Sequence, residues 1–274
     1  MNKQQGKTDP ITAMDFDLHN MPFSLVLSGG GALATAHLGV LHDLERQSMV
    51  PAEVVGTSMG GIIGACLAIG MREAEILTRV KEMGRFTSWI KFSAGGNALI
   101  DTAKIAAIFD SVFGQRQMSD TRIPLKVIAT NLRDGGKKVF DARDSVVIRD
   151  ALLATMAIPG IFKEHVIDGE VYGDGFLSEN LGLTEADFQH VLAVDVLGKN
   201  AFQRSMPDGF FKTANVLEMF EKSMRLLIYN QTRNHLRHVD KTILLLEPDT
   251  SEYRSYQFHK VDEIRHLGLG LLPA

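Results

Sequence analysis

Cysteine is almost absent from this chain: Cys66 is the single thiol among 274 residues. That excludes an internal disulfide framework and fits a reducing compartment. Its setting, Gly61-Ile62-Ile63-Gly64-Ala65-Cys66-Leu67-Ala68-Ile69, is an apolar helical stretch, so the residue reads as small core filling and not as a reactive thiol. Charge of one sign does not accumulate either. The formal net charge is −4 and no long block of like charges occurs, which argues against nucleic acid as the main partner. No apolar run approaches the roughly twenty residues of a membrane span; the longest, residues 61–71, reads as a buried helix. The stretch before Met21 is polar and acidic and lacks the apolar segment of a secretory leader. No grouping of His, Cys and carboxylates has metal-ligand spacing, and no cofactor or metal is expected. The expected location is the cytoplasm, with peripheral contact at a membrane surface left open.

Apolar residues make up 45% of the chain, enough for a substantial core. The length suits one domain over residues 22–274, preceded by a loose tail over 1–21. Strands are expected over Phe23–Ser28, Glu53–Thr57, Leu125–Asn131, Lys138–Phe140, Val191–Val196 and Thr242–Leu246, with a short hairpin over Val166–Tyr172. Helical spacing marks Ala32–Gln47, Met59–Ile69, Arg72–Met83, a stretch capped by Asp101 and running to Phe113, Val146–Met156, Lys212–His238 and Phe258–Leu267. Arg85–Ala98, which holds Trp89, has no clear period and reads as a surface loop or lid. Strands alternating with helices imply an α/β layered fold around a mostly parallel sheet.

Two glycine-rich turns carry the chemistry. Gly29-Gly30-Gly31 follows the apolar run Phe23–Leu27, and Gly56-Thr57-Ser58-Met59-Gly60 follows Glu53-Val54-Val55. A sharp strand-to-helix turn around Gly-x-Ser-x-Gly lifts the serine oxygen clear of the sheet. Three glycines between a strand and a helix bare backbone N–H groups at a helix N-terminus, where negative charge is welcome. A nucleophile beside an anion hole suits acyl transfer. The triple glycine also has a dinucleotide-loop reading, but Ala34 stands where the third fingerprint glycine belongs, and Glu53 lies at the wrong end of its strand for a ribose. Ser58 needs a base. The late histidines His235, His238, His259 and His266 all fall in charged helical stretches, and His37 reads as packed on the first helix, so no Ser-His-Asp triad is supported. Three Asp-Gly pairs remain. Asp134 and Asp168 sit where hairpin turns are expected, whereas Asp174 leaves a strand between two glycines.

These blocks together resemble the patatin-like phospholipase family. The resemblance rests on Leu25–Gly31 with His37-Leu38-Gly39-Val40-Leu41, on Gly56–Gly61, on Ala157-Ile158-Pro159-Gly160-Ile161-Phe162, and on Asp174-Gly175 with Asn180, in that order over residues 23–196. It implies a three-layer α/β/α sandwich with a mostly parallel central sheet, and hydrolysis of lipid acyl esters. It further implies Ser58 as nucleophile, Asp174 as base of a Ser–Asp dyad, and the backbone of Gly29, Gly30 and Gly31 as oxyanion hole, with a lipid or acyl ester as the partner. The chain departs from the family pattern at Leu33, usually Arg or Lys, at Ala34, usually Gly, at Phe176, usually Gly or Ala, and at Gly182, often Pro. Two other functions compete: a soluble carboxylesterase or acyl-thioesterase, and a non-catalytic acyl-lipid-binding protein motivated by Leu33 and Phe176.

Overall fold

A computed structural model describes residues 18, 20–87, 102–202 and 216–273. Its centre is a sheet whose strands lie in the order β5-β6-β3-β2-β1-β7-β8, with β4 also paired to β3. The strands are β1 Phe23–Leu27, β2 Glu53–Thr57, β3 Leu125–Asn131, β4 Lys137–Phe140, β5 His165–Ile167, β6 Glu170–Asp174, β7 His190–Val194 and β8 Thr242–Leu246. The run β3-β2-β1-β7-β8 is parallel throughout. β4, β5 and β6 add antiparallel pairings at one side. The helices are α1 Ala36–Arg46, α2 Met59–Ala68, α3 Glu73–Thr87, α4 Thr102–Phe113, α5 Ile148–Thr155, α6 Val216–His238 and α7 Val261–His266.

Both faces of the parallel strands are covered, which is why β1, β2 and β7 are buried along their whole length or nearly so. The side chains alternate as a pleat demands. Leu25, Leu27, Val54, Leu125, Val127, Leu192 and Val194 join a core built with α1 to α5 and α7. Val26, Val55, Ile128, Val191 and Ala193 face the opposite way, onto Leu181, Leu183, Ala186, Leu236 near the C-terminus of α6 and Val239 just after it. The fold is therefore a three-layer α/β/α sandwich with a mostly parallel central sheet.

The elements depart from their sequence boundaries for local reasons. The helix expected from Ala32 begins as a 3-10 turn over Gly31–Thr35. There Leu33 N–H bonds the Gly30 carbonyl, while Ala32 N–H is drawn off to the carbonyl of Ser255 at 2.7 Å. α5 starts at Ile148 and not at Val146, because the Val146 carbonyl accepts from Met118 N–H and Val147 bridges Gln117. The last helix also opens with a 3-10 turn, Phe258–Lys260. Helix α3 runs on to Thr87, so the start of the expected lid is helical; residues 88–101, which hold Trp89 and Asp101, lie outside the described residues. So does the expected tail apart from Leu18, Asn20 and Met21, and Leu18 is buried against the core. Residues 212–215 of the long helical stretch are likewise outside. Among the described residues, no helix is long and apolar enough to cross a membrane. Cys66 is buried and its thiol is pushed up to about 12 by that burial, as a core residue should be.

Leu33 is fully buried in the larger core. An unpaired guanidinium there loses its hydration without gaining a partner, at a cost on the order of several kcal/mol. Leu33→Arg is thus expected to lower the melting temperature by roughly 5–10 °C. Thermal denaturation followed by circular dichroism checks this, and an unchanged midpoint would show that position 33 opens to solvent.

Candidate active site

The Gly56–Gly60 turn joins β2 to α2 with no spare residue. Ser58 occupies the corner at φ 53° and ψ −127°, a positive-φ conformation that non-glycine residues avoid and that costs about 1–3 kcal/mol. Two features hold it there. Ser58 N–H donates to Thr155 Oγ1 at 2.8 Å, and that hydroxyl in turn donates to the carbonyl of Ile128. Gly60 lets α2 start directly against β1, since a Cβ at this position would collide with the carbonyls of Leu27 and Ser28.

Asp174 ends β6, and the parallel-to-antiparallel junction of the sheet brings it to the same corner. Its register partner is Ala129 on β3, two positions past Val127, which lies opposite Gly56 on β2. The Ser58 hydroxyl donates to Asp174 Oδ2 at 2.6 Å, and Phe176 N–H donates to Oδ1 at 3.1 Å. The carboxyl is fully buried. Burial raises its pKa to about 7, against the two hydrogen bonds, which favour the ionised form. A carboxyl poised near neutrality takes and returns a proton readily.

The glycine turn faces this pair. Gly31 has φ +56°, and a Cβ on it would collide with the Ser255 carbonyl, so the position requires glycine twice over. Gly29 N–H donates to the Asn180 carbonyl at 3.3 Å. Gly30 and Gly31 line a cavity of about 440 Å³ together with Ser58 and Asp174. Its walls are largely apolar: Met59, Met83, Met156, Ile158, Ile161, Phe162, Phe176, Leu197, Met224, Ile228 and Phe258. Four methionines among them give an adaptable lining. Phe176 is part of that wall, whereas Leu33 lies in the core.

The other sequence candidates fall elsewhere. Asp134 accepts from Gly136 N–H in the β3–β4 turn, and Asp168, at φ +50°, makes the β5–β6 turn with Gly169. His37 is fully buried, donates through Nε2 to the carbonyl of Ser28 at 2.9 Å, and is pushed down to about 4 by burial. It stays neutral and packs, as expected. His235 and His238 lie on α6, His266 ends α7, and His259 stands at the cavity wall; none is bonded to Ser58. Glu53 is tied up at the start of β2, accepting from Ser24 Oγ and Asp187 N–H at 2.5 Å each. Among the described residues, no three or more His, Cys, Asp and Glu side chains group as a metal site. Thr155, Gln231, Glu221 and Ser255 support the site and carry no local sequence signal.

The family model described as patatin-like phospholipase matches residues 25–187. The chain belongs to the patatin-like phospholipase family. That match spans the glycine turn, the Ser58 turn and Asp174. Lysophospholipase NTE1 of Scheffersomyces stipitis is 27% identical over 279 aligned positions, covering 92% of this chain but 18% of that protein. Lysophospholipase NTE1 of Saccharomyces cerevisiae is 26% identical, at 92% and 16% coverage. An uncharacterised NTE family protein of Mycobacterium bovis, Mb1092c, is 29% identical over 160 positions, covering 58% of this chain and 43% of its own. The chain thus spans less than a fifth of the length of these two fungal relatives. The crystal structure of VipD from Legionella pneumophila aligns with a TM-score of 0.44 and 11% identity, over 89% of this chain and 67% of that one.

The raised pKa of Asp174 predicts a pH dependence for a reaction in which it acts as base. A base that must be ionised works above about pH 7 and loses activity about tenfold per unit below it. Hydrolysis of a p-nitrophenyl ester is expected to show this acid limb in kcat/KM, and Asp174→Asn is expected to remove the inflection along with most of the rate. The stability effect has the opposite sense. A folded pKa raised above the unfolded value gives a contribution present at low pH and lost as pH rises through about 7. Asp174→Asn is therefore expected to melt above the parent near pH 8 and level with it near pH 4. A parent profile flat down to about pH 5 would contradict the assignment.

Proposed function

We propose that this chain is a serine acyl hydrolase that cleaves fatty-acyl ester bonds of lipids, of phospholipase A or lysophospholipase type, through a Ser58–Asp174 dyad. One observation carries the reading: the 2.6 Å hydrogen bond from the Ser58 hydroxyl to a fully buried carboxylate, at the wall of an apolar cavity of about 440 Å³. Family membership and the lysophospholipase names of the fungal relatives support the lipid class.

In the proposed reaction the Ser58 oxygen forms a bond to the ester carbonyl carbon as its proton passes to Asp174. The carbonyl oxygen becomes an oxyanion beside the glycine turn of Gly29, Gly30 and Gly31. Gly29 N–H is held by Asn180, which leaves Gly30 and Gly31, both at the cavity wall, as the donors in this reading. One such donor is worth on the order of a hundred- to a thousandfold in rate. The tetrahedral carbon then expels the alcohol, which leaves with the proton from Asp174. Water attacks the acyl-serine, Asp174 takes the water's proton, and the carbon–Oγ bond breaks. The proton returns to Ser58 and the fatty acid leaves.

The acyl chain occupies the apolar cavity. Tyr256 at its wall is 47% exposed, Leu177 beside Phe176 is 41% exposed, and Leu226 and Leu227 on α6 are exposed between the lining residues Arg225 and Ile228. These side chains offer a lipid surface a place to rest while a chain enters, which supports peripheral membrane contact. Leu33 is not part of the cavity wall, so the missing cation takes nothing from the pocket.

Ser58→Ala is expected to abolish hydrolysis of short p-nitrophenyl esters without loss of fold. Asp174→Asn is expected to lose on the order of a thousandfold or more, and Asp134→Asn and Asp168→Asn less than about threefold. Rates measured side by side decide. Full turnover by folded Ser58→Ala protein would falsify the nucleophile assignment, and loss confined to Asp134→Asn would move the base to the β3–β4 turn.

A further inference from the structure

Helix α6 grips the glycine turn from both sides. Near its C-terminal half, Gln231 Oε1 accepts from Asn180 N–H at 3.0 Å and Gln231 Nε2 donates to the Ser178 carbonyl at 2.8 Å. The Asn180 carbonyl then receives Gly29 N–H. Ten residues earlier, about 15 Å along the helix, Glu221 reaches the other side. Its Oε1 accepts from Ser255 N–H at 2.8 Å and from Arg225 Nη2 at 2.7 Å, and Arg225 Nη2 also donates to the Tyr253 carbonyl at 2.9 Å. The Ser255 carbonyl receives Ala32 N–H at 2.7 Å and sits against Gly31, where even a Cβ has no room.

Glu221 and Arg225 are both buried, each more than nine-tenths, and both line the cavity that holds Ser58. Burying an ion pair beside an apolar wall gives little net stability and is readily replaced by apolar packing. Its geometric effect is specific, because one carboxylate oxygen fixes the N–H of Ser255, and the carbonyl of the same residue fixes where Gly31 and Ala32 lie relative to Ser58.

We infer that Glu221 is a positioning residue for the oxyanion turn, acting through the backbone of Ser255, with Arg225 holding its carboxylate in place. The inference rests on the hydrolase reading given above and adds to it a device outside residues 25–187, where the family model matches. A displaced turn weakens binding of the oxyanion more than binding of the neutral ester, so the effect falls on kcat.

The test compares two charge-free double variants that differ only in the acceptor for Ser255 N–H: Glu221→Gln/Arg225→Met, which keeps it, and Glu221→Met/Arg225→Met, which removes it. On a p-nitrophenyl ester the second is expected to have a kcat about tenfold or more below the first, with KM within about threefold. Affinity for a trifluoromethyl ketone, which forms a tetrahedral oxyanion adduct on a serine, is expected to fall in parallel. Affinity for an uncleavable ether of the same chain length is not. Amide hydrogen exchange at Ala32, measured without substrate, is expected to be faster in the second variant, and this readout holds whether or not Ser58 is the nucleophile. Equal kcat and equal Ala32 exchange in the two variants would overturn the inference, as would a loss confined to KM. A second variant that does not fold while the first does would also overturn it, by making Glu221 a stability element. Ester turnover that survives Ser58→Ala would instead overturn the hydrolase reading and leave the Ala32 comparison to decide the clamp.

Discussion

The hydrogen bond between Ser58 and Asp174 spans 116 positions of sequence, and most of the molecule serves to close that distance. Neither residue would hold its place alone. Ser58 sits in a backbone conformation that only a surrounding structure sustains, and Asp174 is a carboxyl removed from water. The sheet meets both demands at one point. Parallel β2 delivers the serine at its C-terminal end, and antiparallel β6, paired to the far edge of β3, delivers the aspartate to the same level. Thr155 at the end of α5 bonds both the Ser58 N–H and β3, so Ser58 and the strand between it and Asp174 are fixed together.

The second constraint is the glycine turn, whose backbone has few internal bonds of its own. Its geometry comes from segments far along the chain, the Ser178–Asn180 loop and the Tyr253–Ser255 loop, and both are fastened to α6. The same helix supplies Met224, Arg225 and Ile228 to the cavity wall. One helix thus both lines the cavity and holds the glycine turn, so in the proposed reaction it ties what fills the cavity to how the oxyanion is stabilised. The long helical stretch is therefore part of the cavity's frame, and not only a face of the sandwich.

The local features of the fold were legible in the sequence. A strand that turns through Gly-x-Ser-x-Gly into an apolar helix has one geometry, and β2, Ser58 and α2 follow it. The alternating apolar runs became β1, β3, β7 and β8 close to their expected bounds because buried parallel strands admit few polar residues. Asp174 was separable from Asp134 and Asp168 because the latter two lie in hairpin turns that account for their glycines. What remained hidden is tertiary. Thr155, Gln231, Glu221 and Ser255 are ordinary residues in ordinary contexts, and only the fold brings them to the site. On α6, Glu221 and Arg225 stand one turn apart, but their burial against the Tyr253–Ser255 loop is tertiary, as is the pairing of Arg233 with Glu247, since spacing along a helix says nothing about partners on other segments. The anchoring of the first helix was equally out of reach, because the Ser255 carbonyl that takes the Ala32 N–H comes from far along the chain.

The central claim is that Ser58 is a nucleophile activated by Asp174. A fluorophosphonate reacts covalently with a serine only where the hydroxyl is activated and an anion hole receives the developing charge. Intact-protein mass spectrometry followed by peptide mapping should find one equivalent of probe, on the peptide that carries Ser58. Labelling should be absent in Ser58→Ala and slowed at least about a hundredfold in Asp174→Asn. Stoichiometric labelling of another residue, or labelling of Ser58 at an unchanged rate when Asp174 is replaced, would contradict the account.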